Sequence, residues 1–417
     1  MTAAAEPLDA VGRAPAEARR YWLLLALGAL GVLAGLAAAH HLEARGHAAT
    51  GMSHQVVWGL PHVFAIFMIV AASGVLNVAS VGSVFGQTVY KARAPLSGLL
   101  SLAMLAGGLM VLLLDLGRPD RVIVAATHFN FRSVFAWNVF LYSGLFAIVA
   151  VYLWTLMERR MNRHAPAAGF AAFVWRFVLT TGTGSIFGFL GARQAYASAV
   201  LAPMFIVLSF AWGLAVFLIV QSAMYAWNGL TLPEAIQRRM TRLLGIFVAA
   251  SAYFVLVYHV TQGYSVRLQG FERFILLDGG VYPLLFWLVW AGLGTLWPLT
   301  LLLAPSGLGQ RGTVLAAVLV VLGGFAFLYV FIVGGQAWPL EIFPGHRVGS
   351  LFGDGAVDDY SPAWPEWLLG LGGLGLAFLL TTAGVRLLRF MPQDDFARFG
   401  EATTGTGKHP DAPGARS

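Results

Sequence analysis

Long apolar runs alternate with short polar connectors along most of the chain. A helix that crosses the hydrocarbon core of a bilayer needs about 20 predominantly apolar residues. Ten runs approach this length, and they predict transmembrane helices near residues 21–39, 57–83, 96–115, 134–156, 168–190, 199–226, 243–262, 281–304, 313–335 and 364–388. The pattern therefore predicts an all-α integral membrane protein with about ten transmembrane helices.

Two of these runs are less regular than the others. The fifth contains Arg176 and the polar stretch Thr180–Ser185, which indicates a helix that faces protein rather than lipid. The first follows Arg13, Arg19 and Arg20 and ends in small residues, so it resembles a secretory signal peptide with its cleavage site. We interpret this first run as a transmembrane helix.

Composition supports the membrane assignment and excludes several other classes of protein. Hydrophobic residues make up 58% of the chain, charged residues 11%, and the mean hydropathy is +0.74, whereas a soluble domain carries about 25% charged residues. The net charge of +7 comes from arginines scattered in short connectors, which argues against a nucleic-acid partner. Because the sequence has no cysteine, it excludes disulfides and thiolate-ligated iron–sulfur clusters within this chain.

The distribution of basic residues predicts the orientation of the bundle. Of the 26 lysines and arginines, 17 lie on the side of the N-terminus and 8 on the opposite side. Cytoplasmic loops carry the excess of Lys and Arg, so both termini are predicted to be cytoplasmic. The opposite side is the outer face, which is periplasmic in a Gram-negative cell.

The third apolar run ends abruptly in the charged stretch "LLLDLGRPDR" (112–121). Asp115 and Arg118 are three residues apart and would pair on one face if the helix continued that far. One interpretation is a helix terminus whose charges reach the headgroup layer. The other follows from the next connector, which returns His128, Asn130 and Arg132 to the same surface. Acids, bases and hydrogen-bond donors beside an apolar pocket suit a lipophilic molecule that exchanges protons, such as a quinone.

The same stretch resembles the membrane-anchor family of polysulfide reductase and nitrite reductase complexes, the NrfD/PsrC family. In that family the third span ends in LDLGRP, which is matched here by "LLLDLGRPDR" and followed by "THFNFRSVFAWNVFLYSG". The resemblance continues through Trp58–Ser80 and Gly188–Ile219 and covers roughly residues 57–335.

The resemblance implies a fold of two four-helix bundles with one additional helix at each end. The first bundle, with the quinone site, would occupy residues 57–198 and the second residues 199–335. Residues 1–56 would form the cytoplasmic N-terminus, first span and outer loop, and residues 336–390 an outer docking loop and the last span. The polar residues 391–417 are predicted to be a disordered cytoplasmic tail.

The function implied by the resemblance is that of a quinone- or quinol-reactive anchor without haem or an iron–sulfur cluster of its own. Menaquinone or ubiquinone would be its substrate. Its partners would be a ferredoxin-like iron–sulfur subunit on the outer face and a molybdopterin enzyme or multihaem cytochrome c. The location would be the bacterial inner membrane. The aromatic outer connectors 258–273 and 338–367 are predicted to hold the iron–sulfur partner.

The resemblance also identifies candidate residues. Asp115 would exchange the quinone proton, and Arg118 would hold Asp115 ionised. His62 lies at the outer end of the second span, with a structural role at a helix start as the alternative and His54 as a rival for the functional role. His128, Asn130 and Arg132 are further candidates.

The chain departs from the family pattern in one place. Many members carry a quinone-facing tyrosine near the end of the fifth span, where this sequence reads "GSIFGFLGA" (184–192) with Ser185 and no tyrosine. Tyr142 or Tyr196 could supply the phenol, although neither matches by position. Ser185 and Tyr142 are therefore included among the predicted headgroup contacts.

Two other functions remain open. A haem b anchor requires paired histidines deep in the spans, and only His62 and His259 lie within or at the edge of a span; His259 is interpreted as structural. A secondary transporter would have helices broken by glycine or proline near the middle of the membrane, whereas Pro203 and Pro283 lie near the starts of spans.

Overall fold

The computed structural model describes residues 15–84, 86, 88–304, 309–340, 343, 349 and 355–388. Within these residues, ten helices are long and apolar enough to cross a membrane. They are α1 (Pro15–Arg45), α2 (Leu60–Ser83), α3 (Ala94–Leu114), α4 (Val134–Met157), α5 (Ala165–Gly188), α6 (Leu201–Trp227), α7 (Glu234–Tyr264), α8 (Val281–Leu302), α9 (Gln310–Ala337) and α10 (Trp364–Leu387). The predicted ten-helix integral membrane protein is confirmed. The tail 391–417 and most of 341–354 lie outside the described residues.

Local sequence sets the ends of many of these helices. Proline occupies the first turn of α2, α3, α5 and α10, where its missing N–H is not needed. Helix α3 ends at Leu114, and Gly117 follows with φ +69, a left-handed conformation that glycine adopts without strain. Helices α1 and α7 are 31 residues long. Both extend beyond the predicted apolar runs because their polar ends continue the helix outside the apolar segment.

The ten helices form two groups of four with a pair at the side. Helices α2 to α5 pack around one another, and so do α6 to α9. The two bundles meet mainly where α2 contacts α6. Helix α1 lies along α10, which in turn packs on α3 and α2. This is the predicted arrangement of two four-helix bundles plus one extra helix at each end.

Glycine allows α2 and α6 to touch at their crossing. A Cβ atom on Gly213 would lie 2.2 Å from the carbonyl carbon of Gly74, and one on Gly74 would lie 1.6 Å from the carbonyl oxygen of Ser209. Both distances are far below a van der Waals contact, so only glycine fits. Small residues permit this close backbone approach between membrane helices. The crossing fixes the first bundle, which carries the candidate site, against the second.

Two helices of the second bundle depart from α-helical geometry. Helix α8 is π-helical over Leu285–Leu296, and α9 over Val330–Gly334. Such segments shift the register of the residues that follow them, and they are frequent at functional sites. The segment in α9 immediately precedes Gln336, which reaches the first bundle as described below.

Candidate functional site

A buried histidine–carboxylate pair lies where α2 begins and α3 ends. The Nδ1 atom of His62 is 2.9 Å from Oδ2 of Asp115. His62 belongs to the first turn of α2, and Asp115 is the residue that caps the C-terminus of α3, its backbone N–H donating to the carbonyl of Val111. The leucine run of α3 therefore carries the acid to the end of the span, where the start of α2 supplies its partner.

The two side chains of the pair differ in access to the surroundings. The side chain of Asp115 is 2% exposed and that of His62 21%. Oδ1 of Asp115 is buried without a hydrogen-bond partner among the described residues. A carboxylate in this position orients the imidazole through Nδ1 and leaves Nε2 as the reactive atom, which is the arrangement of a histidine base supported by an acid. The pair can thus pass a proton between a bound molecule and the protein.

Aromatic rings form one wall beside the pair. The indole of Trp58 stacks on the His62 imidazole at 5.8 Å between ring centroids and an interplanar angle of 22°. Trp58 also contacts Phe187 at the end of α5 (5.6 Å) and Phe135 at the start of α4 (6.1 Å). Helices α2, α4 and α5 of the first bundle thus converge on one half-buried indole. Such a surface suits a flat, apolar headgroup.

The segment before His62 is held by residues of the second bundle. Oε1 of Gln336 accepts hydrogen bonds from the backbone N–H groups of Val57 (3.1 Å) and Trp58 (3.0 Å), and its Nε2 donates to the carbonyl of Trp58 (2.9 Å). Arg193, between α5 and α6, donates to the carbonyls of Gln336 (2.9 Å) and Gln55 (2.6 Å). Burial lowers the pKa of Arg193 from its ordinary value. These bonds fix the position of Trp58.

The other side of the same segment is held by a buried carboxylate near α10. Oε1 of Glu366 accepts from the hydroxyl of Tyr360 at 2.5 Å, and Oε2 accepts from the N–H groups of Gly51 and Ala363, both at 2.8 Å. The Tyr360 hydroxyl also accepts from the N–H of Leu60 at 2.7 Å. Burial and the bond to Glu366 raise the pKa of Tyr360 above its ordinary value. The first residue of α2 is therefore fixed two residues before His62.

A cavity of about 190 Å³ lies between α1 and the end of α3. Leu36, Ala39, His40 and Glu43 of α1 line one side, and Leu114, Gly117 and Pro119 line the other. Leu114 and Gly117 flank Asp115 in the chain, so this cavity adjoins the segment that carries the acid. Its wall is mostly apolar, with His40 and Glu43 as the polar groups.

Arg118 does not pair with Asp115, contrary to the sequence-based expectation. Helix α3 ends before it, and the left-handed turn at Gly117 directs Arg118 away. Its Nε and Nη2 atoms each lie 3.1 Å from a carboxylate oxygen of Asp120, and both side chains are more than 60% exposed. This pairing raises the pKa of Arg118 and lowers that of Asp120. His62 takes the place that was expected for Arg118.

The other candidates in the connectors before α2 and after α3 do not join the pair. His54 is exposed and precedes Gln55, whose carbonyl accepts from Arg193. His128 is exposed and lies 3.0 Å from the hydroxyl of Thr127. Asn130 accepts from the backbone N–H of Arg132 at 2.9 Å, and both residues are exposed. The connector after α3 thus forms a local turn of its own.

The candidates on α4 and α5 lie inside the first bundle. Tyr142 is buried, and Ser185 is half-buried with its carbonyl accepting from the N–H of Phe189. On α5, Phe187 faces Trp58. Tyr196 donates to the carbonyl of Ile332 at 2.8 Å and is fully buried, so its phenol serves packing between the bundles.

Three residues of the site were missed by the sequence interpretation: Trp58, Gln336 and Glu366. Gln336 interrupts an apolar run just before a Trp-Pro pair, and Glu366 follows Pro365 in an aromatic stretch. A polar residue at the end of a span was the available signal for both. Nothing in the sequence connects Gln336 to Trp58, since 278 positions separate them.

The known proteins that this chain resembles are named as subunits of oxidoreductases or reductases. The Hdr-like menaquinol oxidoreductase integral membrane subunit of Archaeoglobus fulgidus is 29% identical over 347 residues, covering 82% of this chain and 87% of that protein. The putative dimethyl sulfoxide reductase membrane subunit of Halobacterium salinarum is 29% identical over 402 residues (87% and 91%). A selenate reductase subunit of Mesobacillus selenatarsenatis is 22% identical over 379 residues (79% and 85%). A family model described as polysulphide reductase, NrfD, matches residues 48–339, which is most of the chain. This protein therefore belongs to the NrfD polysulphide reductase family.

Proposed function

We propose that this chain is the quinone- or quinol-reactive membrane subunit of a respiratory oxidoreductase complex. The observation that carries the proposal is the His62–Asp115 pair, 2.9 Å apart at an aromatic-lined end of the first bundle. The name of the Archaeoglobus relative, a menaquinol oxidoreductase integral membrane subunit, supports the same substrate class. Menaquinone or ubiquinone is the proposed substrate.

The pair has the chemistry that quinol oxidation requires. A quinol loses two electrons and two protons to become a quinone. We assign the acceptor of one proton to Nε2 of His62, with the Asp115 carboxylate stabilising the imidazolium that forms, and the second proton is released to the aqueous phase on the same side of the membrane. Quinone reduction would use the same atoms in reverse. Trp58 would stack on the headgroup, and Phe135 and Phe187 would border it.

The electrons have to leave to a partner, because this chain has no cysteine for an iron–sulfur cluster. We propose a ferredoxin-like iron–sulfur subunit on the outer face, followed by a molybdopterin enzyme or a multihaem cytochrome c. The relatives named as subunits of dimethyl sulfoxide and selenate reductases support a complex of several subunits. Connectors 258–273 and 338–367 remain the proposed docking surface.

We place the chain in the bacterial inner membrane with both termini cytoplasmic, so that the His62–Asp115 pair lies near the periplasm. The support is the excess of Lys and Arg on the side of the N-terminus. A reporter that fluoresces only in the cytoplasm, fused to Ser417, should be bright. A dark fusion with normal expression would place the site on the cytoplasmic side instead.

Binding of a quinone headgroup analogue to the purified full chain in lipid nanodiscs tests the proposed site. Quenching of tryptophan fluorescence should saturate in the wild type. His62→Ala should weaken binding about 10- to 100-fold, because it removes a hydrogen bond to a charged pair and one face of the stack. Glu234→Gln, at an exposed pair at the opposite end of the helices, is the control. Equal affinity of wild type and His62→Ala would overturn the site assignment.

A further inference from the structure

A second buried histidine–carboxylate pair lies in the other bundle. Nδ1 of His259, near the C-terminal end of α7, is 2.8 Å from Oε2 of Glu272 in the short helix Gln269–Arg273. Their side chains are 13% and 7% exposed. The contact of Gln262 with the carbonyl of Gln194 (3.0 Å) places this end of α7 beside the α5–α6 connector, on the same side of the molecule as His62. The sequence alone indicated a structural role for His259.

The hydrogen bonding of Glu272 differs from that of a structural carboxylate. Glu366 uses both of its oxygens, with three donors between them. Oε1 of Glu272 is buried and has no partner among the residues that the structure describes, as is also true of Oδ1 of Asp115. An unsatisfied buried acceptor costs about 1–3 kcal/mol, and an ion pair that is mostly buried contributes little stability in return. The Glu272 carboxylate is retained despite this cost and is paired with a histidine, which suits proton exchange better than structural support.

The surroundings of the second pair exclude a large ligand. The cavity beside His259 has a volume of only about 10 Å³ and is lined mainly by aromatic rings. The Phe286 ring contacts the imidazole at 4.9 Å between centroids. A cavity of this size holds about one water molecule and no quinone ring. The ligand that the pair can take is therefore a proton, at most with one water.

Few other ionisable groups lie near this pair. Helix α7 itself contributes Tyr258, which donates to the carbonyl of Ala195. Helix α8 contributes Tyr282, which packs on Phe274. The connector contributes Arg267 and the exposed ion pair of Arg273 with Asp278. The described residues of α9 that line the cavity are Phe327, Val330 and Phe331. Of these groups, Tyr258 interacts electrostatically with Glu272.

We infer that His259 and Glu272 form a second proton-binding site, which takes up and releases one proton at the outer face without contacting quinone. In the deprotonated state, neutral His259 donates through Nδ1 to the Glu272 carboxylate. One proton from the outer aqueous phase converts the pair to imidazolium and carboxylate, or to neutral histidine and carboxylic acid. The two protonated forms differ only in which side chain carries the added proton. No electron is transferred.

Infrared pH-difference spectroscopy on the full chain in lipid nanodiscs tests this inference. The wild type, labelled with ¹³C-carboxyl glutamate, should show a buried glutamate band, from a carboxyl group or from a carboxylate beside imidazolium, that shifts with the label and responds to pH. Glu272→Gln should remove the band. His259→Gln should alter the response of the band to pH, because the coupled base is lost. Glu234→Gln, at an exposed glutamate, should leave it unchanged.

The outcomes separate this site from the quinone site. The quinone analogue should perturb an aspartate band that Asp115→Asn removes and leave the glutamate band unaltered. If the analogue perturbs neither band, the quinone proposal fails while the second site stands. A glutamate band that responds to the analogue, or one that persists in Glu272→Gln, would overturn the inference. If Glu272→Gln does not fold, the labelled wild type alone decides. The absence of a buried glutamate band that responds to pH in the wild type would then overturn the inference.

Discussion

The two bundles carry similar pairs at their ends on the same side of the molecule, in different surroundings. Each pair joins Nδ1 of a histidine to one carboxylate oxygen, at 2.9 Å for His62 and Asp115 and at 2.8 Å for His259 and Glu272. In each, the second carboxylate oxygen is buried without a partner among the described residues. The first pair borders the indole of Trp58, whereas the second is enclosed by aromatic rings around a cavity of about 10 Å³.

If both proposals hold, this difference in surroundings distinguishes a substrate site from a proton site. The same two side-chain types can serve either purpose, and access decides which. At the first pair, Gln336 and Glu366 fix the preceding segment with a network of hydrogen bonds. At the second, Phe271, Phe286 and Phe331 close the space that a headgroup would need. On the proposed assignment, selectivity for quinone depends on the residues around the pair rather than on the pair.

The largest effect on stability is expected at the structural carboxylate, Glu366. Glu366→Gln leaves one acceptor oxygen where there were two, so either the N–H groups of Gly51 and Ala363 lose their acceptor or the hydroxyl of Tyr360 does. We expect a loss of about 2–4 kcal/mol in the free energy of unfolding. Denaturant unfolding of the full chain in detergent measures it.

The matched variant Glu272→Gln keeps a neutral acceptor for His259 and removes a buried charge. It should cost less than about 1 kcal/mol. A larger loss in Glu272→Gln than in Glu366→Gln would reverse the assignment of structural and exchangeable carboxylates, and with it the comparison of the two bundles.

An intermediate effect is expected at Gln336, a positioning residue that does not contact the His62–Asp115 pair. Gln336→Leu leaves the N–H groups of Val57 and Trp58 without their acceptor. Trp58 should then lose its fixed position on His62, and the affinity for the quinone analogue should fall about 10-fold. Because His62 and Asp115 are untouched, the pH dependence of turnover at saturating quinol should stay as in the wild type. A changed pH profile would mean that Gln336 acts on the pair itself.

The smallest effect is expected from Arg118→Gln. The side chain lies in the solvent-exposed pair with Asp120, and such pairs contribute little. The midpoint of thermal unfolding should not change measurably. A clear decrease would indicate that Arg118 supports Asp115 in the assembled protein, as the sequence had suggested.

Much of the fold could be predicted from the sequence, because a span requires a long apolar run whatever surrounds it. The role of Asp115 was predicted from the resemblance to the family, and the leucine run placed this carboxylate at the end of a span, where it needs a partner. The identity of that partner could not be predicted. It depended on the helix ending at Leu114 and on the left-handed turn at Gly117, and the partner that replaced Arg118 lies 53 positions away.

The second bundle shows the same limit more strongly. His259 and Glu272 are only 13 positions apart, yet their pairing requires α7 to end at Tyr264 and a short helix to turn back. Gln336 reaches Trp58 across 278 positions. Contacts of this kind follow from the packing of the bundles, and a single sequence contains no local signal for them.

Quinol-linked turnover per assembled complex in Asp115→Asn tests the central claim most directly. Asparagine keeps the shape and much of the hydrogen bonding of aspartate but removes the titratable group, so the complex should assemble while turnover falls by about 10²–10⁴. Asp120→Asn, the same change at an exposed acid in the same connector, should retain wild-type turnover. A purely structural role for Asp115 predicts lost assembly with normal turnover in the complex that remains. Wild-type turnover in assembled Asp115→Asn would contradict the proposed role of the His62–Asp115 pair.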